Sequence, residues 1–276
     1  MDKERIIELA TEMIRGSEDN VISEAIALGR EVVGLKLFDD PIFAFGSADD
    51  PCFQDLKDGD ANLQNLLLPA EWLPGAKTVI SFFLPFSQAV KDSNKNDFKL
   101  PSAGWLHGRI EGQALLNKLT AYIEKELTRA GYKSLAPLLD ERSWNVAGPD
   151  PHGLHPESAF TSNWSERHAA YVCGLGTFGL SKGLITAKGV AGRFGSVITQ
   201  LHMDPDVRPY TGIYDYCCMC GDCIKNCPVG AISQEKGKLH APCSDFLDFT
   251  AEKYKPRYGC GKCQVGVPCE RRIPNL

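Results

Sequence analysis

The chain lacks a basic surplus: 30 Lys and Arg against 35 Asp and Glu leave a formal net charge of -5 over 276 residues. General nucleic-acid binders carry a positive patch or surplus, so a long nucleic-acid footprint is not expected. A membrane span is lacking too. The longest dense apolar stretch, Thr78–Phe86, falls far short of the ~18 residues a spanning helix needs. No apolar segment follows the charged opening Met-Asp-Lys-Glu-Arg, so neither a secretory nor a twin-arginine leader is expected, and the reading is cytoplasmic. Residues 1–205 show no internal repeat and no regular alternation of strand and helix patterns, which favours an α+β core over a doubly wound sheet. With 43% hydrophobic and 24% charged residues, the chain is neither disordered, collagen-like nor a coiled coil.

Periodicity supplies the elements. Ile6, Ile7, Ala10, Met13 and Ile14 predict an amphipathic helix over 3–15. Ser17 can cap a second, with Val21, Ile22, Ala25 and Ile26 on its apolar face. Residues 31–38 read as a strand, and 40–75 as a long loop with short helical turns. Lys77–Phe86 is the strongest strand pattern, rich in β-branched and aromatic residues. Ile110, Ala114, Leu116, Leu119, Ile123 and Leu127 form the stripe of a helix over 109–131. A helix at 166–173 and a strand at 192–203 follow an aperiodic loop at 143–165. Composition shifts after Met203, placing a domain boundary near residue 206: an α+β domain at 1–206 and a cysteine-rich one at 207–276.

Nine of the eleven cysteines follow residue 216. An odd count without a leader argues against a disulfide framework. Cys217, Cys220, Cys223 and Cys227 have the spacing C-x2-C-x2-C-x3-C, followed by Pro228. This is the bacterial ferredoxin run, whose first three thiolates hold one cubane and whose fourth ligates a second. Two [4Fe–4S] clusters need eight ligands, and Cys243, Cys260, Cys263 and Cys269 complete the count. The pairing is Cys217, Cys220, Cys223 and Cys269 on one cluster, and Cys227, Cys243, Cys260 and Cys263 on the other. The alternative is a zinc site on Cys220, Cys223, Cys260 and Cys263, which leaves four cysteines without a role. Cys52, Cys173 and Cys218 read as small buried hydrophobes.

Gly174-Leu-Gly176-Thr-Phe-Gly179 matches G-x-G-x-x-G, but helix-forming residues precede it and no Asp or Glu occurs from Arg167 to Met203. A dinucleotide site needs a strand before the glycines and an acid after them, so that fingerprint is rejected. Gly174, Gly176 and Gly179, with Lys182 and Arg193, suit close backbone approach to a large anionic ligand. A helix C-cap followed by a tight turn is the alternative. Proton-transfer candidates lie between 143 and 168: His152, His155, His168 and Glu166, with Asp150, Asn163 and Tyr171 nearby. Against them stand solvated loop histidines and a structural Glu166–Arg167 ion pair.

SERHAAYVCGLGTFGLSKGLIT (165–186), GSVIT (195–199), CCMCGDCIKNCPVGAI (217–232) and YGCGKCQ (258–264) together resemble the epoxyqueuosine reductase family, whose wider relatives include cobalamin-dependent reductive dehalogenases. The resemblance spans roughly 75–270. It implies a nitroreductase-like α+β domain holding base-off cobalamin, followed by a ferredoxin-like domain with two [4Fe–4S] clusters that feed electrons to cobalt. It supports Cys243 as a ligand, lays the glycine loop against the corrin, and offers Lys182 or Arg193 to the phosphate of the cofactor tail. Implied partners are a flavodoxin- or ferredoxin-type electron donor and a small-molecule or nucleoside-like substrate. The other expectation is an electron-transfer or corrinoid-activating protein without substrate turnover. Phe160 stands where the family carries a proton-donating Asp, Leu180-Ser181 where it has Lys-Asn, and Cys269 follows Cys263 at a longer gap. Inefficient processing of epoxyqueuosine is therefore expected.

Overall fold

The computed structural model describes residues 1–59, 63–146 and 160–275. Helices are α1 (Lys3–Gly16), α2 (Cys52–Gly59), α3 (Pro69–Trp72), α4 (Gln88–Ser93), α5 (Ala103–Arg129), α6 (Glu166–Cys173), α7 (Asp222–Lys225) and α8 (His240–Tyr254). Strands are β1 (Ile42–Ser47), β2 (Thr78–Pro85), β3 (Ser134–Leu135), β4 (Gly176–Phe178), β5 (Leu184–Thr186), β6 (Gly192–Thr199), β7 (Ile232–Ser233) and β8 (Gly237–Lys238). The fold is mixed α and β, around a four-stranded sheet ordered β1-β2-β6-β3 in which every pair is antiparallel. Among the described residues, no helix is long and apolar enough to cross a membrane.

β2 is buried along its whole length because core covers both faces of the sheet. On one side Phe82, Leu84 and Val197 pack against Leu115, Leu116, Leu119 and Ile123 of α5, with Ile6, Ala10 and Ile14 of α1 beyond. On the other, Val79, Phe83 and Ile198 meet Trp72, Trp164 and α6 residues Ala169 to Cys173. Ser102 starts α5 by accepting from the Trp105 amide at 3.1 Å. The helix begins six residues before the expected start at 109 because Trp105 and Leu106 are also buried in it.

Several sequence expectations give way locally. No helix follows Ser17: residues 18–20 form one tight turn, and Asn20 is buried, accepting from the Phe38 amide and donating to the carbonyls of Ile14 and Phe38. The 31–38 segment holds a turn at 30–32 and two isolated bridges, and the edge strand is instead β1, inside the stretch read as loop. Three-residue β4 and β5 lie between the helix and strand read at 166–203.

The cysteine-bearing segment lies on the α+β layer through specific bonds. Asn94, fully buried, donates to the Cys260 carbonyl at 2.9 Å and accepts from the Ser102 amide at 3.0 Å. Lys262 donates to the Asn94 carbonyl at 2.7 Å, and Val190 to the Cys269 carbonyl at 2.9 Å. Arg257 forks onto Glu111 of α5 and reaches the Ile26 carbonyl. Asn94→Ala strands a buried carbonyl and a buried amide and is expected to cost roughly 2–4 kcal/mol. Anaerobic denaturant unfolding checks this, and an unchanged midpoint contradicts it.

Candidate metal centre

Backbone turns, more than regular elements, bring the cysteines together. Gly221 and Gly261 adopt left-handed conformations, φ 78° and 70°, between the members of each C-x2-C pair. Gly261 also lies flat against Trp105, so that a Cβ there would overlap the indole. Asn226, just before Cys227, donates to the Val265 carbonyl at 2.9 Å and ties the two cysteine runs side by side.

Two hollows result. The larger, about 140 Å³, is lined by Cys227, Cys243, Cys260 and Cys263, walled by Phe86, Trp105, Arg109, Gly192 and Arg193 of the α+β layer and closed by Phe246 and Leu247 of α8. A second, smaller hollow is lined by Cys217, Cys218, Cys220, Cys223 and Cys269, with Gly179, Leu180, Ser181 and Ile185 on its wall. Among the described residues, no three His, Cys, Asp or Glu side chains converge closely enough to hold a single ion. The cysteines of the zinc alternative are divided between the hollows, Cys220 and Cys223 on the smaller and Cys260 and Cys263 on the larger. Thiols spread around a hollow suit a polynuclear core, so the donor set fits the cubane chemistry its spacing implies. Burial and neighbouring sulfurs push Cys223 and Cys269 up to about 12, and burial foremost does the same for Cys260. Ligation must therefore displace protons, and assembly is coupled to pH.

Cys218 sits beside Cys220 on the rim of the smaller hollow. Cys173 is buried in the sheet core and donates to the Val79 carbonyl at 3.4 Å. Cys52 is half-buried beside Arg208 at the start of α2.

The glycine loop has local work. Gly174 ends α6 in the left-handed conformation, φ 96°. Gly176 opens the β4–β5 hairpin, where a Cβ would run into the Ile185 carbonyl, and Gly179 faces Ile185 and the Cys217 sulfur. The helix cap and tight turn are thus present. A Cβ on Gly174 would lie in ordinary contact with Val207 and Arg208, so Gly176 is the tighter of the two. Lys182 holds φ 55°, and its carbonyl accepts from Arg167 at 2.5 Å. Arg193 lines the larger hollow.

Of the proton-transfer candidates, Asp150, His152 and His155 lie outside the described residues. His168 is hydrogen-bonded to Ser165 at 2.7 Å and packs on Phe178, their ring centroids 4.8 Å apart. Asn163 is buried, bonding the Trp144 amide and the Arg142 carbonyl. The Tyr171 ring packs on Tyr210 and Phe178, and burial pushes its phenol up. Phe160, with φ 60°, sets its ring 5.1 Å from His240 at the start of α8, a juxtaposition across 80 residues of sequence that no local pattern announces.

Glu166 forms no ion pair with Arg167, which turns away to Lys182. Both Glu166 carboxyl oxygens are buried without a hydrogen-bond partner, next to Ser196 and Trp164. Burial raises the acid to about 7, an effect the two polar neighbours only partly offset. Arg167 is reached by solvent, yet surrounding protein and the charge of Arg109 weaken its hold on its proton. Cys263 is near enough to act in the opposite sense.

No protein-family profile matches the chain. An epoxyqueuosine reductase of Listeria monocytogenes is 34% identical over 122 residues, covering 40% of this chain and 31% of that protein. The chain resembles the epoxyqueuosine reductases. Its fold matches that of an epoxyqueuosine reductase solved with an epoxyqueuosine-modified tRNA stem loop (TM-score 0.55, 18% identity, 97% of this chain and 65% of that one). It also matches a catabolic reductive dehalogenase solved with 3-bromo-4-hydroxybenzoic acid (TM-score 0.51, 13% identity, 98% and 37%). The sequence match to the Listeria reductase thus spans about a third of that protein's length.

Glu166 supplies a pH test. Its proton is held up to about 7 in the folded chain against an ordinary 4.5, so the folded state binds it more tightly than the unfolded state. Below about 4.5 both states are protonated and there is no penalty. Folding stability should fall as pH rises toward 7, by up to about 3 kcal/mol. Glu166→Gln should remove that slope, so that the variant gains on the parent between pH 5 and pH 8 in anaerobic unfolding curves. Parallel curves would contradict the assignment.

Proposed function

We propose that this chain is an iron–sulfur oxidoreductase. One [4Fe–4S] cluster is held by Cys217, Cys220, Cys223 and Cys269, the other by Cys227, Cys243, Cys260 and Cys263. They supply single electrons to a group bound beside the larger hollow. The observation that carries this reading is the sorting of eight cysteines, scattered over 53 residues of sequence, into two hollows along the lines their spacing requires. The likeness to epoxyqueuosine reductases and a reductive dehalogenase supports the redox role.

Bound clusters supply one-electron reduction and oxidation. The chain's own residues do the remaining work. The cysteines fix the clusters, and Phe86, Trp105, Phe246 and Leu247 keep water from one of them. Glu166 retains a proton near neutral pH, its carboxyl buried beside Ser196 and Trp164. A corrinoid, as the resemblance implies, would lie against the larger hollow, where Arg193 is on the wall. A substrate of small-molecule or nucleoside-like kind would bind beside it. A flavodoxin- or ferredoxin-type donor fits the exposed rim at Cys220 and Met219. Phe160 brings no ionisable group, so slow turnover of epoxyqueuosine is part of the proposal.

The glycine packing favours one other reading, an electron carrier that holds no corrinoid. Anaerobic titration with cobalamin separates the two. A base-off spectral change ending at one equivalent supports the corrinoid reading, whereas no change leaves the carrier.

Anaerobic iron and sulfide analysis tests the clusters. About eight of each per chain are expected, with about four left in Cys263→Ser and no loss in Cys218→Ser. Stoichiometric zinc, or about four irons in the parent, would overturn the assignment.

A further inference from the structure

The two hollows differ in charge. Arg109 of α5, Arg193 of β6 and Lys238 of β8 line the one formed by Cys227, Cys243, Cys260 and Cys263. Among the described residues, no Lys or Arg lines the one formed by Cys217, Cys220, Cys223 and Cys269. The two arginines are neighbours: Arg193 Nη2 donates to the Arg109 carbonyl at 2.6 Å. Arg109 Nη2 donates to the Tyr258 hydroxyl at 3.0 Å, its guanidinium 4.6 Å from that ring's centroid. Among the described residues, these guanidinium groups bond a carbonyl and a hydroxyl, and neither pairs with a carboxylate. The Nε–H of each is buried with no acceptor.

Enclosed cations without an anion are costly, and buried N–H groups without acceptors are rare. Both anomalies sit on the wall of one hollow and ask for the same thing: an anion with acceptor atoms. Four thiolates around a cubane supply both.

We propose that Arg109 and Arg193 are the counterions and N–H donors of the cluster on Cys227, Cys243, Cys260 and Cys263, and that they raise its reduction potential above that of the other cluster. The proposal rests on the two-cluster reading. Reduction adds one negative charge to a cubane, so nearby cations and N–H···S bonds favour the reduced state. The cluster without cations, near the exposed Cys220, is the lower-potential input and the arginine-lined cluster is the acceptor. A one-electron reductant of low potential reduces the first cluster from the 2+ to the 1+ state. That electron then passes to the second cluster, returning the first to 2+. No bond is made or broken and no proton moves. The arginines act through the cluster as positioning residues, not catalytic ones.

Mediated redox titration of the anaerobic holoprotein, followed by electron paramagnetic resonance, reads the two midpoints separately. Arg193→Gln and Arg109→Gln should each lower the higher midpoint by about tenfold in the one-electron equilibrium, ~59 mV, and leave the lower one in place. Lys238→Gln, at a half-exposed position, should move the same midpoint by less and keeps the test available if an arginine variant fails to assemble. Arg193→Lys, which restores charge but not the planar fork, should recover part of the shift. Full iron content with unmoved midpoints, or movement of the lower one, overturns the proposal. Parent protein without about eight irons fails the two-cluster reading instead.

Discussion

The cysteine-bearing segment cannot enclose the larger hollow alone, and the rest of the arrangement follows from that constraint. Its elements are short: β7 and β8 have two residues each, α7 has four, and α8 buries only Phe246 and Thr250 along its 15. The missing wall is borrowed. Trp105 and Arg109 come from α5, Gly192 and Arg193 from β6, and Phe86 directly follows β2; the core on either side of the sheet fixes all three elements. Buried Asn94, the Arg257–Glu111 fork and the close approach of Gly261 to Trp105 hold the segment against that wall. An electrostatic environment built largely from one part of the chain thus surrounds ligands supplied by the other.

What the sequence made legible was what depends on local spacing. The ferredoxin run, the β2 pattern, the stripe of α5 and the helix at Glu166–Cys173 all follow from period or motif. β1 escaped because Ile42–Ser47, flanked by Asp and Pro, owes its strand state to pairing with β2. The helix read after Ser17 failed because Asn20, at the point where the chain must turn, bonds the Ile14 carbonyl that the end of α1 leaves free and both main-chain groups of Phe38. Arg109 carries no signal at all in sequence. It sits among ordinary helix residues, and only the packing of α5 against Tyr258 and β6 shows what it faces.

The glycine loop shows how one motif can be spent on structure. Gly176 is required by the Ile185 carbonyl, and Gly174 ends α6 in the left-handed conformation. The buried Glu166 carboxyl beside Ser196 and Trp164, and the cation-lined larger hollow, are features to which that motif does not point.

The most direct test of the central claim is anomalous diffraction at the iron edge from crystals of anaerobically prepared protein. The account predicts two compact iron peaks per chain, one within bonding distance of Cys227, Cys243, Cys260 and Cys263, the other of Cys217, Cys220, Cys223 and Cys269, with Cys218 unbound. A single peak bridging Cys220 and Cys263, or a signal at the zinc edge in its place, would contradict it.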